Sequence, residues 1–395
     1  MNDPLRWIDR INTDWADRGL ERNPTVFAAP SSAGTIETAD GRVLINLASN
    51  DYLSLACDPR VVAAGKAAAD RHGWGAAASP LVTGLRIPHA ELARDLAAFE
   101  QTDAAVLFPS GYAAGFATIA AVVAKEDVVF SDRLNHAGLI DGIRLSRAET
   151  FIYPHIDILR LSELLATERS RFRRALIVTE SIFGMDGDAA PIADLVDLAD
   201  RHDAMLMVDE AHATGVYGPE GRGIAAEQGV ADRVPIKMGT LSKALGSIGG
   251  FVAGSNKLIN LLTNHARGLV FSTAIPPAAA AAAAEALRIS RIETARRDRL
   301  HQLASAFRAT LNQHGIATSS TRGPIAPILV GDPRATVALG ERLRELGYVV
   351  AAIRPPTVPA GTSRLRVGLS AGIRLEDLEP LIQALAKAKS NGEIS

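Results

Sequence analysis

The chain has 395 residues, 47% hydrophobic and 22% charged, the composition of a soluble globular protein too long for a single hydrophobic core. A net charge of -2 gives no electrostatic footprint for nucleic acid or for an anionic membrane, so neither is expected as a partner. The single cysteine, Cys57, excludes an internal disulfide and any multi-thiolate metal site, which suits a reducing, cytoplasmic setting with no metal.

The N-terminal stretch lacks the apolar run of a signal peptide. It places Leu5, Ile8, Ile11 and Trp15 at helical spacing instead, which predicts an amphipathic helix within residues 3–22. Short β-like runs around Asp40-Gly41 predict a hairpin over residues 35–47. Between about residues 60 and 270, apolar runs recur at 104–108, 127–130, 150–153, 175–179, 204–208 and 249–253, with helical stretches such as 192–202 between them. That alternation predicts a mostly parallel sheet covered by helices on both faces. The alanine-rich stretch 276–287 is too short to span a bilayer and predicts a buried helix. It opens one long helix, 276–314, with Gly315 as its stop. A smaller α+β lobe follows: strands at 325–330, 348–353 and 363–369, helices at 336–346 and 375–389. The organisation expected is an N-terminal helix and hairpin segment (1–58), a large domain (59–285) and a small C-terminal domain (286–395).

In a parallel α/β sheet, ligands sit beyond the carboxyl ends of the strands. Ser110, His136, Glu180, Asp209 and Lys243 each fall at or just after such an end, so they can converge despite their separation in sequence. A lone lysine is usually a solvated charge. Lys243, however, is framed by Thr240, Ser242, Gly246, Gly249 and Gly250, which leave room for a bulky planar group and offer hydroxyl donors. Asp209 closes a buried strand and His212 follows three residues later. An acid upstream of a lysine in such a frame is what pyridoxal phosphate (PLP) chemistry asks for: a lysine for the cofactor's aldehyde and an acid for its pyridine nitrogen. Asp209 as a mere helix cap, or as a magnesium ligand, is the competing reading; magnesium would want a GxxxxGK[ST] loop, which the chain lacks. Ser110-Gly111-Tyr112 opens a helix after a strand, a ready seat for a phosphate. His136 can stack on a flat ring or simply cap the next helix. The loop from Glu180 to Asp188 is polar and glycine-bearing at the same sheet edge, with Asp186 to Asp188 reading as an acidic surface turn. In the small lobe, residues 354–366 form a proline-rich loop running into a strand on which Arg364 and Arg366 face one side. One guanidinium is expected to grip a substrate carboxylate and the other to serve as a surface ion-pair partner.

These residues together resemble the α-oxoamine synthase family of fold-type I PLP-dependent enzymes, over nearly all of the chain from Asn50-Asp51-Tyr52-Leu53 to Arg366. The match is closest over residues 353–366. The resemblance implies an α/β fold, a large domain with a mostly parallel seven-stranded sheet plus a smaller α+β C-terminal domain. It implies an acyltransferase that condenses L-alanine with a pimeloyl thioester, on CoA or a carrier protein, with loss of CO2. A paralogue using glycine or L-serine with another acyl-CoA is the alternative. By the same resemblance Lys243, His136 and Asp209 are catalytic. Ser110, Gly111, Tyr112, Glu180, His212 and Thr240 join them around PLP, with Ser272 and Thr273 reaching the phosphate of a neighbouring subunit, which implies a homodimer with shared sites. Arg366, Thr357, Arg22 and Asn50 fall on the substrate side. Two departures stand out. Gly184 replaces an expected serine, with Ser181 as the candidate substitute, and Pro80 replaces an expected arginine.

Overall fold

The structure is a computed structural model and describes residues 3–29, 32–318 and 322–394. The chain divides into two compact units. It opens in the unit made of Met1–Ser49, Met185–Gly187 and Arg299–Ser395. Helix α1 (Trp7–Asp17) is shorter than predicted and buries none of its residues. Gly19 stops it by taking a positive φ of 66°, the left-handed geometry that glycine adopts at little cost. The expected hairpin forms, with β1 (Thr35–Glu37) antiparallel to β2 (Val43–Asn46).

The second unit, Asn50–Gly184 and Asp188–Asp298, carries the αβ alternation. Its helices are α2 (Pro59–His72), α3 (Ile87–Glu100), α4 (Gly111–Val122), α5 (Ala137–Ser146), α6 (Ile158–Glu168), α7 (Ile192–Arg201), α8 (Ile224–Glu227), α9 (Asn256–His265), α10 (Arg267–Val270) and α11 (Pro277–Ile292). Its strands are β3 (Ala104–Phe108), β4 (Val128–Asp132), β5 (Glu149–Tyr153), β6 (Ala175–Glu180), β7 (Met205–Asp209), β8 (Ile236–Thr240) and β9 (Gly250–Gly254). They form one seven-stranded sheet in the order β3-β9-β8-β7-β6-β4-β5, in which only β9 runs against its neighbours. Every residue of β4, β6, β8 and β9 is buried, as a sheet covered on both faces requires. On one face, Val129, Leu176, Met207, Met238 and Val252 pack with Ile119 of α4 and Leu139 of α5 into a continuous core. Full burial of each such side chain contributes about 1.5–3 kcal/mol.

Strand β8 has no counterpart among the predicted apolar runs, because Lys237 and Gly239 interrupt its hydrophobicity. Lys237 is nonetheless buried, and its Nζ donates to the backbone oxygen of Glu100 at 2.8 Å. The single long helix expected over 276–314 is in fact two, α11 and α12 (Thr294–Gln313). Glu293 breaks them with φ -94° and ψ 64°. No proline or glycine marks the spot; an ion-pair network does. Glu293 binds Arg60 and Arg296, and both arginines also bind Asp58, the N-cap of α2. Arg60 first, then Arg296, holds the Asp58 carboxyl down to about 2.

Back in the first unit come β10 (Ile325–Gly331), α13 (Pro333–Glu345), β11 (Tyr348–Val349), β12 (Ala351–Ile353), β13 (Ser363–Gly368) and α14 (Glu379–Ser390). The predicted strand 348–353 splits between two sheets. β11 joins β2 in parallel, whereas β12 and β10 flank β13 in antiparallel fashion.

Candidate active site

Parallel register brings Glu180 of β6 level with Asp209 of β7, and Asp209 level with Met238 of β8. Two carboxylates therefore end adjacent buried strands on the same level. Burial pushes the Asp209 carboxyl up from its ordinary range, and nearby Lys243 and the Ala211 N–H offset that only in part. Burial, reinforced by the Asp209 charge, also raises Glu180, so the pair carries less than two full negative charges. The Oδ1 of Asp209 accepts the Ala211 N–H at 2.9 Å, which starts the turn that carries His212.

Lys243 stands half-buried in the tight loop between β8 and β9. Gly246 closes that loop onto the Lys243 carbonyl at 2.9 Å, with a φ of 58°. A Cβ there would lie 2.4 Å from the Ala56 nitrogen, so both conformation and space demand glycine. The Thr240 hydroxyl donates to the Gly249 carbonyl at 2.9 Å and sits 2.8 Å from the Ser242 hydroxyl. Gly111 lies against it, since a Cβ on Gly111 would meet Thr240 Oγ1 at 3.2 Å. Ser110 caps α4 by accepting the Ala113 N–H at 3.0 Å, leaving the first N–H groups of the helix at this spot. Helix N-terminus, serine and threonine hydroxyls thus form one anion seat.

His136 caps α5, its Nδ1 accepting the Gly138 N–H at 3.1 Å. Just before it, Asn135 is buried and clamps this segment to β6, donating to the Val178 carbonyl at 2.8 Å. Burial holds the His136 ring below the ordinary imidazole range against the pull of Asp209, so it presents a neutral flat face near Asp209 and Lys243. The Tyr112 ring stands edge-on to it at 6.4 Å.

The first unit separately brings together two predicted residues: the Arg22 guanidinium donates to Thr357 Oγ1 at 3.3 Å. Arg366 is buried in β13, and Arg364, two residues earlier, is paired with Asp186. Arg364 is therefore an ion-pair partner as expected, but a buried one. The acidic turn Asp186 to Asp188 is likewise not a surface turn, since Asp188 binds His155 at 2.8 Å. Ser181 does not stand in for the serine expected at position 184. Its hydroxyl donates to the buried carboxylate of Glu210, which also accepts the Ile224 and Ala225 N–H groups at 3.0 and 2.9 Å. At Gly184 itself a Cβ would lie 2.4 Å from His212 Nε2. Ser272 and Thr273 border an apolar cleft with Pro80, Leu85, Phe108 and Ile275.

Sequence reasoning missed Tyr52, whose hydroxyl lies 2.7 Å from His212 Nδ1, and His155, held between Asp132 and Asp188. Tyr52 sits two residues from Asn50, and that proximity to a predicted site residue was the available signal. The His155 contacts depend on chain folding across three segments and leave no local mark.

This is the arrangement of an amine-handling site: a half-buried lysine, a buried acid, a neutral imidazole and an anion seat at one sheet edge. A family model for class I and II aminotransferases matches residues 42–385. A relative from Anaeromyxobacter dehalogenans, an 8-amino-7-oxononanoate synthase, is 51% identical over 97% of this chain and 95% of its own. The chain belongs to the class I and II aminotransferase family, among its 8-amino-7-oxononanoate synthases. Solved structures superpose on most or nearly all of the chain. A serine palmitoyltransferase from S. paucimobilis with a bound PLP–myriocin aldimine gives a TM-score of 0.92 at 28% identity, covering 99% of this chain and 100% of its own. The 8-amino-7-oxononanoate synthase of Francisella tularensis gives 0.77 at 26% identity, covering 88% and 98%. Among the described residues, no helix is long and apolar enough to cross a membrane.

Proposed function

We propose that this acyltransferase joins L-alanine to a pimeloyl thioester, releasing CO2 and free thiol and forming 8-amino-7-oxononanoate, a step of biotin biosynthesis. The observation that carries the reading is the buried Asp209, set between Lys243 and His136 at the carboxyl edge of the sheet. The cofactor is PLP, which solved serine palmitoyltransferase structures similar to this chain carry. The residues present fit it. When bound, PLP supplies an aldehyde for amines and a ring that accepts electrons from a bond broken at Cα.

Around it the chain's own groups have distinct tasks. Asp209 holds a proton on the pyridine nitrogen, and its burial makes that charge pairing strong. His136 would stack its neutral face on the ring. Gly111 and Tyr112, at the start of α4, with Ser110 and Thr240 would hold the phosphate, and His212 would contact the ring oxygen. Glu180 adjoins Asp209 and tempers the local charge. Lys243 moves the proton at the substrate Cα, as the base held beside that carbon. Arg366 takes the amino-acid carboxylate. Arg22 and Thr357 take the acyl group, and Asn50 borders the substrate. The assembly is a homodimer in which Ser272 and Thr273 complete the partner copy's phosphate seat.

A second reading, glycine or L-serine with another acyl-CoA, is favoured by the superposition on serine palmitoyltransferase. Thiol release from purified, PLP-loaded protein separates the two. The panel pairs L-alanine, glycine and L-serine with pimeloyl-, succinyl- and palmitoyl-CoA. Release from L-alanine with pimeloyl-CoA alone is the expected result, and Lys243→Ala is expected to lose at least about a thousandfold in rate while still holding PLP. Release from another pair moves the substrate assignment, and near-normal turnover in Lys243→Ala removes the lysine from the proton transfer.

A further inference from the structure

One member of a hydrogen-bond chain at the site, Tyr52, has no task in that scheme. Tyr52 is fully buried, and its hydroxyl lies 2.7 Å from His212 Nδ1 and 3.1 Å from Asn50 Oδ1. The two rings are tilted by 47° with centroids 6.0 Å apart, so the hydroxyl meets the imidazole at its edge rather than its face. The opposite edge of the His212 ring looks at Gly184, whose missing Cβ leaves room for Nε2.

We propose that Tyr52 is a positioning residue that donates to His212 Nδ1 and so places the ring proton on Nε2, making Nε2 the donor toward the ring oxygen of PLP. This rests on the PLP reading of the site. A phenol has one proton, and both an imidazole nitrogen and an amide oxygen stand within reach of it. The imidazole nitrogen is both nearer and the stronger base, so it takes the main share, and the amide oxygen of Asn50 takes the weaker branch of a three-centre bond. A neutral imidazole that accepts at one nitrogen carries its proton on the other. Titratable groups near this ring include Asp209 and Glu210 from its own turn, Tyr52 from the segment before α2, Glu180, whose Oε2 accepts the Gly184 N–H at 3.3 Å, and Lys243 and His136, which interact with Asp209. Tyr52→Phe leaves all of these but the phenol in place.

The test is a pH titration of the visible absorbance of the PLP-loaded protein. A donor on the ring oxygen favours its ionised form, so Tyr52→Phe is expected to raise the apparent pKa of the band by about one unit. His212→Asn is expected to raise it similarly, and the double variant no further, since both act through one bond. Wild-type titration in Tyr52→Phe beside a shifted His212→Asn overturns the proposal, as do shifts that add. A second measurement needs neither variant nor cofactor: histidine nitrogen NMR of the unloaded wild-type protein, with the His212 signal expected in the Nε2–H tautomer. A proton on Nδ1 overturns the proposal even if Tyr52→Phe fails to fold. Failure of the wild-type protein to bind PLP at all would instead remove the cofactor reading, and the NMR measurement would still decide the tautomer.

Discussion

Gly184 shows what one absent carbon does to a site. Its resemblance-based expectation was serine, a residue that would add a hydroxyl beside the ring oxygen. The geometry reverses the sense of that substitution, because even an alanine Cβ would approach His212 Nε2 to 2.4 Å. The ring is held from behind by Tyr52 at 2.7 Å, so it has no easy retreat. Forced overpacking of this kind costs about 1–3 kcal/mol. Where the displaced group acts in the reaction, that corresponds to roughly tenfold to a hundredfold in turnover. Gly184→Ala is therefore expected to lower kcat by that range and the thermal midpoint by a few degrees, on the order of 2–4 °C per kcal/mol or less in a chain of this length, read by thiol release and by thermal denaturation side by side. Unchanged turnover would mean that His212 moves freely. Ser181 meanwhile serves Glu210, whose carboxylate is buried beneath two backbone N–H groups of α8. That residue supports the frame on which Asp209 stands.

At the scale of elements, the loop after β6 is secured by His155, which binds Asp132 at 3.0 Å and Asp188 at 2.8 Å and stands edge-on to Phe183 at 4.3 Å. Burial disfavours its charge, but the two carboxylates outweigh that and raise the imidazole to about 10 from an ordinary 6.5. Its folded value lies above its unfolded one, so the clamp contributes in full below about pH 6.5 and is lost as pH climbs through about 10. Urea unfolding of wild type and His155→Ala across that window is expected to show a stability gap that is largest at the acid end and shrinks toward the alkaline end. A gap constant with pH would assign the effect to packing on Phe183 instead. The sequence was legible where burial and apolarity coincide: β4, β6 and β7 were readable from hydrophobic runs, and Asp209 and Lys243 from their places at strand ends. It was opaque where polar groups are paired across the chain. Lys237 hid β8, and the Asp58, Arg60, Glu293 and Arg296 network hid the break between α11 and α12. Tyr52 and His155 were missed for the same reason, because each acts through a contact with a residue far away in sequence.

At the scale of the whole molecule, the role proposed for Ser272 and Thr273 calls for a second copy. They lie on the rim of an apolar cleft along the β3 edge. Around them Phe271, Val82 and Leu85 expose large apolar side chains, a surface suited to burial against a partner. A two-fold dimer uses the same patch on both copies, so each copy would supply Ser272 and Thr273 to the other's site. This can be tested without a structure of the dimer. Lys243→Ala and the double variant Ser272→Ala, Thr273→Asp are each expected to be inactive as pure proteins. When they are mixed and allowed to re-pair, half the dimers are mixed. Each mixed dimer then holds one site with an intact lysine and an intact partner loop. About a quarter of wild-type activity should return at equal total protein. If the loop served its own chain, the mixed dimer would hold one site without its lysine and one with a damaged loop, and no activity would return. Recovery therefore depends on sharing of the site and not on dimer formation as such, and cross-linking before mixing should abolish it.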